Sequence, residues 1–293
     1  LSGVGVCSEL PGVVDHHVHL GLVDAGLLSG GPVCEVHDLG WDLDAVRAIA
    51  ASAPTGVRVR YAGPFHTAVG GYPSGRAWAP AGAAVGLRDT HEGREAVARA
   101  AAGGAFAIKV ALNADMPLLG DEPLAAVIDA ARARGLPVIA HTEGPGQARR
   151  AIRAGVDVLA HTPWDERLEP ELIDAAVSAG MRWISTLAIH DGPARATAID
   201  NLARFRAAGG RVSYGTDMGN GDQPVGVNAA EIELLGEVGL AGEELLEAVC
   251  GELSSEPVLQ SPHPRPRDSA ELIVWLSDCR WIGAPEAPSA VIG

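Results

Sequence analysis

The chain has 293 residues, 47% of them hydrophobic, and a formal net charge of −15. That size and apolar share can bury one large core or two small ones, whereas the acidic balance argues against nucleic acid or an anionic membrane surface as partner, since both require a basic patch that displaces counterions. Cys7, Cys34, Cys250 and Cys279 are far apart and form no C-x-x-C pair, which indicates neither a disulfide framework nor a thiolate zinc site. No apolar run is long enough to span a membrane and no signal peptide is visible, so the expected location is the cytoplasm. The expected partner is a small-molecule substrate, and self-association into a homo-oligomer is left open.

In chain order, short apolar runs predict strands over residues 13–19, 32–37, 57–62, 106–111, 137–141, 156–161, 182–187 and 212–216. Helical periodicity fills the intervals, over 42–51, 92–102, 123–134, 146–154, 169–179, 193–208 and 228–236. Gly103, Gly135, Gly155, Gly180 and Gly209 follow helical runs and are expected to be left-handed C-terminal caps. Eight βα units over about 240 residues match a (β/α)8 barrel of the TIM type. A doubly wound sheet is the competing fold, but Gly30-Gly31 lacks the G-x-G-x-x-G spacing of a phosphate loop. Residues 65–85 are too long for an ordinary turn and read as a loop covering the active-site mouth. The barrel is assigned to residues 11–253. Residues 1–10 and 254–293 flank it as a small β-sandwich remnant, with a Pro/Ser-rich linker over 254–267 and strands over 271–276 and 280–282.

A barrel concentrates chemistry at the C-terminal ends of its strands. His17 and His19, at i and i+2 on the first strand, leave one face while His16 points to the other. Lys109 occupies the end of the fourth predicted strand, His141 the end of the fifth, His161 the end of the sixth and Asp217 the position just past the eighth. Lys109 is the single lysine of the chain and stands in the apolar run Ala107-Ile108-Lys109-Val110. A buried lysine can lose its proton and become a nucleophilic amine, which arginine cannot. The alternative is a strand-end lysine whose head snorkels to water. A lone strand-end histidine is more often a hydrogen-bonded core group than a ligand, so the joint placement of six potential ligands on one rim carries the reading.

With these residues the chain resembles the amidohydrolase superfamily, in its binuclear-metal branch with a carboxylated lysine. The motifs are Pro11-Gly12-Val13-Val14-Asp15-His16-His17-Val18-His19, Ile108-Lys109-Val110, Ile139-Ala140-His141, Val156-Asp157-Val158-Leu159-Ala160-His161-Thr162 and Tyr214-Gly215-Thr216-Asp217. Gly70-Gly71-Tyr72-Pro73 and Gly155-Val156-Asp157 make it most similar to imidazolonepropionase-like and prolidase-like members. The resemblance implies that His17, His19 and Asp217 bind one metal and His141 and His161 the other. Lys109 then bridges them as a carbamate formed from carbon dioxide. Such ligands suit Zn²⁺, with Mn²⁺, Co²⁺ or Fe²⁺ as alternatives. The implied activity is hydrolysis of a carbon–nitrogen bond in an amide, cyclic amide or dipeptide-like molecule, with Asp217 as general base and then general acid.

A lactone or ester hydrolase, a deaminase and a catalytically silent metal-containing binding protein are the competing functions. Asp15 is a candidate support for the ligand shell from below, against simple packing of the barrel floor. His66, His190, Tyr72, Trp164 and Asn220 are candidate substrate contacts, with Asp165 and Gln223 as further polar groups near the mouth. Members of the family usually carry a β-sandwich built from segments on both sides of the barrel. Here about ten residues precede the first strand, hence the expected remnant.

Overall fold

The structure is a computed structural model that describes residues 7–251 and 258–282. Its strands are β1 (Ser8–Pro11), β2 (Val13–Val18), β3 (Val33–Asp38), β4 (Arg58–Tyr61), β5 (Phe65–Ala68), β6 (Ala84–Leu87), β7 (Ile108–Asn113), β8 (Val138–Glu143), β9 (Val158–Leu159), β10 (Arg182–Ile184), β11 (Arg211–Ser213), β12 (Val258–Ser261) and β13 (Arg280–Ile282). The helices are α1 (Leu43–Ala51), α2 (Thr90–Ala102), α3 (Asp121–Arg132), α4 (Gln147–Ala154), α5 (Pro170–Ser178), α6 (Gly192–Ala207), α7 (Ala229–Val238), α8 (Gly242–Cys250) and α9 (Ser269–Ser277). Side chains start several helices: Asp42, Asp89 and Asn228 each accept from the backbone N–H three residues on, a cap contributing about 1 kcal/mol.

Two parallel sheets make the barrel wall, β2-β3-β4 and β11-β10-β9-β8-β7-β5-β6. One junction is a single stave, β4 running on into β5, with Phe106 N donating to Tyr61 O at 3.0 Å beside it. At the other, the chain beyond β11 pairs with β2: His16 N donates to Tyr214 O (3.1 Å), Asp217 N to His17 O (2.8 Å) and His19 N to Met218 O (2.7 Å). The wall therefore has eight staves, as the (β/α)8 reading expects. Residues 65–85 do not form one covering loop as anticipated. Their ends are β5 and β6, paired in parallel, and the chain between them covers the mouth.

Side chains alternate between two cores, as a pleated wall requires. Ile108, Val110, Val138 and Ala140 point outward into the shell of helices, where Trp183 of β10 stacks on Phe205 of α6 at 3.9 Å. Leu39, Ala62, Ala107, Ile139, Ala160 and Ile184 form a second cluster inside the barrel. Those small and branched residues are the floor on which the polar site rests.

Two local expectations are corrected. Gly135, Gly155, Gly180 and Gly209 have positive φ, but Gly103 does not; its neighbour Gly104 takes the left-handed turn at φ +88°. Residues 271–276, expected as a strand, belong to α9, because Asp268 caps the Glu271 N–H while Glu271 reaches back to the Arg267 N–H at 2.9 Å. Leu272, Trp275 and Leu276 then bury one helical face, a spacing of three and four residues that no strand can present to one side. The small sheet is instead β1-β12-β13, antiparallel, with β12 inside the segment read as a linker. Residues 1–6, 252–257 and 283–293 of the flanking assignments lie outside the described residues.

Candidate metal centre

Above the inner floor opens a cavity of about 270 Å³, lined by His17, His19, Lys109, His141, His161 and Asp217 together with Phe65, Tyr72, Glu143, Trp164, Ile189, His190 and Asn220. All six expected ligands therefore meet in one space. The ring centroids of His17 and His161 are 4.5 Å apart, those of His141 and His161 5.1 Å and those of His17 and His19 5.2 Å. A register break between Asp15 and Val18 in the β2–β3 ladder separates His16 from His17. His16 turns to Tyr214 O and to the ring of His37.

Second hydrogen bonds decide which nitrogen each histidine offers. Nδ1 of His17 lies 2.8 Å from Ala160 O and Nδ1 of His19 lies 3.1 Å from Gly40 O. A carbonyl only accepts, so both Nδ1 atoms carry the proton and both Nε2 atoms keep a lone pair. These two Nε2 atoms stand 3.2 and 3.3 Å from the same oxygen, Oδ1 of Asp217. His141 has the opposite arrangement, because its Nε2 faces Oε2 of Glu143 at 3.2 Å, which leaves Nδ1 as the free donor atom. Glu143 is itself held by Asn113 Nδ2 at 2.6 Å. Nδ1 of His161 lies 2.9 Å from Thr186 Oγ1.

Asp217 is placed by backbone as much as by side chain. Its φ of +53° is left-handed, a conformation in which aspartate is tolerated better than most residues. Asn220 Nδ2 donates to Oδ2 at 2.7 Å, so Oδ1 is the oxygen turned to the histidines. Burial opposes ionisation of this carboxyl, and the Asn220 hydrogen bond favours it. Burial, then Lys109 and His19, push His17 well below the ordinary imidazole value.

Lys109 is fully buried and its Nζ has no hydrogen-bond partner. Burial brings its ammonium down from 10.5 to about 7, against the pull of Asp217 and Asp38. It is not at a strand end as expected. It lies one residue into β7, level with Ile139, whereas His141 is level with Ala111. The long side chain thus rises from the floor into the ligand ring, which is why water does not reach it.

Barrel closure is braced directly beneath. Asp15 is buried and accepts from His17 N at 3.1 Å, Thr216 N at 3.1 Å and Thr216 Oγ1 at 2.5 Å. One carboxylate thereby ties the first stave to the eighth, and burial still raises it to about 7.

Of the expected substrate contacts, Tyr72, Trp164, His190 and Asn220 line the cavity and His66 does not. Phe65 faces the cavity, so by alternation its neighbour His66 points outward, toward Ala96 of α2, and its Nδ1 donates to the β7 carbonyl Lys109 O at 3.0 Å. Tyr72 lies flat against His141, 4.8 Å between ring centres and 12° between planes. Trp164 packs on His161 and on His190, and burial takes His190 down to about 4. Asp165 and Gln223 are engaged elsewhere, accepting from Gly144 N and Asn228 Nδ2. The Tyr72 loop is seated by Gly71, where a Cβ would stand 2.3 Å from Thr67 Oγ1 and 2.5 Å from Pro117 O.

Sequence reasoning missed Glu143 and Phe65. Glu143 was within reach of period-two logic as the i+2 partner of His141, whereas Phe65 is placed by its cross-strand register with Lys109, which only the structure shows. Trp78, which packs near His19, Tyr72 and Phe65, had no local signal.

No protein-family model matches the chain. It is 28% identical over 297 residues to an uncharacterized protein of Mycobacterium tuberculosis strain H37Rv, covering 92% of this chain and 80% of that protein. Among solved structures it is similar to a Xaa-Pro dipeptidase with bound methionine in the active site, with a TM-score of 0.72 and 19% identity over 93% of this chain and 84% of that one. It is likewise similar to a putative prolidase from Bifidobacterium longum, with a TM-score of 0.71 and 22% identity over 95% of this chain and 82% of that one. At these identities the likeness establishes a shared fold. Among the described residues no helix is long and apolar enough to cross a membrane.

Proposed function

We propose that the chain is a metal-dependent hydrolase of carbon–nitrogen bonds acting on a small amide, cyclic amide or dipeptide-like substrate. One observation carries the metal. The Nε2 atoms of His17 and His19 and Oδ1 of Asp217 are three lone-pair atoms turned on one point, all within 4.8 Å of one another. With both Nδ1–H groups committed to carbonyls, no proton is left to separate these acceptors. His17 Nε2 and Asp217 Oδ1 are buried without a hydrogen-bond partner, a situation that a cation resolves. Imidazole and carboxylate donors suit Zn²⁺ first, then Mn²⁺, Co²⁺ or Fe²⁺.

His141 and His161 supply only two neutral nitrogens, too few to hold a second dication. A carbamate on Lys109 would supply the missing anionic oxygens: the neutral amine adds carbon dioxide and loses a proton. The unpartnered Nζ in a dry pocket supports this reading. When bound, the metals supply a hydroxide at neutral pH and polarise a carbonyl oxygen. Asp217 accepts the proton of the nucleophile and returns it to the leaving nitrogen, and Asn220 orients this carboxylate through its bond to Oδ2. His190 and Asn220 orient the substrate, and Tyr72, Trp164 and Phe65 exclude bulk water.

The cavity is smaller than the roughly 300–1,000 Å³ of drug-sized sites, which favours a dipeptide-sized substrate. The dipeptidase among the similar structures cleaves a bond of this class. A lactone shares the acyl chemistry and is the second reading, distinguished by the leaving group alone.

The test is a metal count on protein produced with added zinc and bicarbonate, together with turnover of N-acyl amino acids, dipeptides, lactams and lactones. Two equivalents are expected, falling to one or none in Lys109→Ala. One equivalent in the wild type, unchanged in Lys109→Ala, would refute the bridge. Normal turnover by metal-replete Asp217→Asn would refute the proton carrier.

A further inference from the structure

The turn after β10 holds a strained backbone beside the cavity. Thr186 has φ 45° and ψ 38°, a left-handed conformation in which a β-branched residue is an outlier. Such geometry persists only where the surroundings over-determine it. Thr186 is also the residue whose Oγ1 lies 2.9 Å from His161 Nδ1, and the same turn continues into Ile189 and His190, which line the cavity.

The restraint comes from α7. Glu231 is fully buried, and its two carboxylate oxygens are taken by consecutive backbone groups: Leu187 N donates to Oε1 at 3.0 Å and Ala188 N to Oε2 at 2.7 Å. On the other side of the strained residue, Thr186 N donates to Gly215 O at 3.2 Å. Glu231 is anchored in turn, its N–H on Asn228 Oδ1 and the Asn228 N–H on the hydroxyl of Tyr214 beyond β11. Packing alone does not account for this residue. A buried carboxylate is costly without donors, and an apolar side chain would fill the volume without that cost. Two adjacent N–H groups are bridged by a carboxylate and not by an amide, which offers one oxygen and turns its own donors on the other N–H.

We infer that Glu231, which does not line the cavity, is a positioning residue for His161: by clasping the Leu187 and Ala188 N–H groups it keeps Thr186 left-handed, with its hydroxyl on His161 Nδ1. The ring then donates Nδ1–H to Thr186 and keeps the Nε2 lone pair for the centre. Its bearing on metal binding rests on the assignment of His161 as a ligand.

The experiment compares wild type, Glu231→Gln and Thr186→Val, each labelled with ¹⁵N-histidine. In metal-free protein, ring ¹⁵N shifts and proton exchange report the His161 tautomer, and backbone exchange reports Leu187 and Ala188. The wild type is expected as the Nδ1–H tautomer with a protected proton. Glu231→Gln should lose that protection and exchange the two amides about tenfold faster. Thr186→Val should reproduce the His161 signature without touching Glu231. In zinc titrations against a chromophoric chelator, Glu231→Gln should weaken one equivalent about 10- to 100-fold and spare the other. An unchanged His161 resonance in Glu231→Gln, with Thr186→Val altering it, would overturn the inference. Wild type that binds no zinc would defeat the metal reading, while the metal-free arm still decides the role of Glu231. If Glu231→Gln does not fold, Glu231→Asp, which keeps the charge but reaches less far, carries the same comparison.

Discussion

Lys109→Arg preserves formal charge and is expected to be among the most damaging single substitutions in this chain. Lys109 sits in a site dry enough to bring its ammonium from 10.5 to about 7. At 1.36 kcal/mol per pH unit, holding a cation there costs about 5 kcal/mol relative to water, with the attraction of Asp217 and Asp38 already included. At neutral pH lysine meets nearly the same cost, since giving up a proton from a group whose free value is 10.5 takes about as much; arginine differs in staying charged, in its bulkier fork and in forming no carbamate. Against a typical net stability of about 5–15 kcal/mol, the wild type already carries that cost, and the larger guanidinium must overpack the ring or leave it and distort β7, a further loss of about 1–3 kcal/mol. Lys109→Met is the control, similar in length, neutral and unable to form a carbamate. The assay is thermal unfolding of metal-free protein, followed by a metal count. Lys109→Met, free of that cost, should have a midpoint above wild type and lose the bridged metal, whereas Lys109→Arg should lose the metal and fall below wild type by roughly 3–10 °C. A Lys109→Arg protein with the wild-type midpoint and full metal content would refute the reasoning about burial and about the bridge together.

Two further substitutions probe the surroundings of the site. Glu143→Gln leaves the shape of the pocket but weakens the acceptor that holds His141 Nε2–H, and about 10- to 100-fold weaker zinc binding is expected in a chelator competition. His66→Asn lies on the far side of β5, and Asn Nδ2 can replace the donor to Lys109 O. Its turnover should stay near wild type with a stability loss of about 1–2 kcal/mol by chemical denaturation, and a loss of turnover above tenfold would mean that this histidine serves the cavity after all.

The βα alternation and the six side chains that share the cavity were legible in the amino-acid order because they depend on short-range rules. An apolar run ended by a polar group writes a buried strand and its tip; His141 follows that form cleanly, whereas the runs before His17, His161 and Asp217 carry polar residues of their own and were legible through their joint placement. Lys109 was legible for a different reason, a charge without polar neighbours. Where two local rules competed, the reading failed. Residues 271–276 are apolar enough for a strand, and only the Asp268–Glu271 capping pair marks them as helical. Residues 65–68 and 84–87 were hidden by the glycine-rich turn between them. His66 was placed near the pocket by its position after a strand, yet which face of a strand a residue takes depends on the register of its neighbours.

Long-range contact decided the rest. Whether His17 offers Nδ1 or Nε2 depends on Ala160, 143 residues away. Closure of the ring depends on Asp15 meeting Thr216, 201 residues away. The left-handed turn that faces His161 depends on a carboxylate from α7. The amino-acid order by itself brought the six candidate groups to the rim, since strand tips follow from pleat and periodicity, but it missed Glu143 and misplaced His66. Only the tertiary structure decided which atom of each group faces the centre, since a hydrogen bond is directional and its partner comes from another stave.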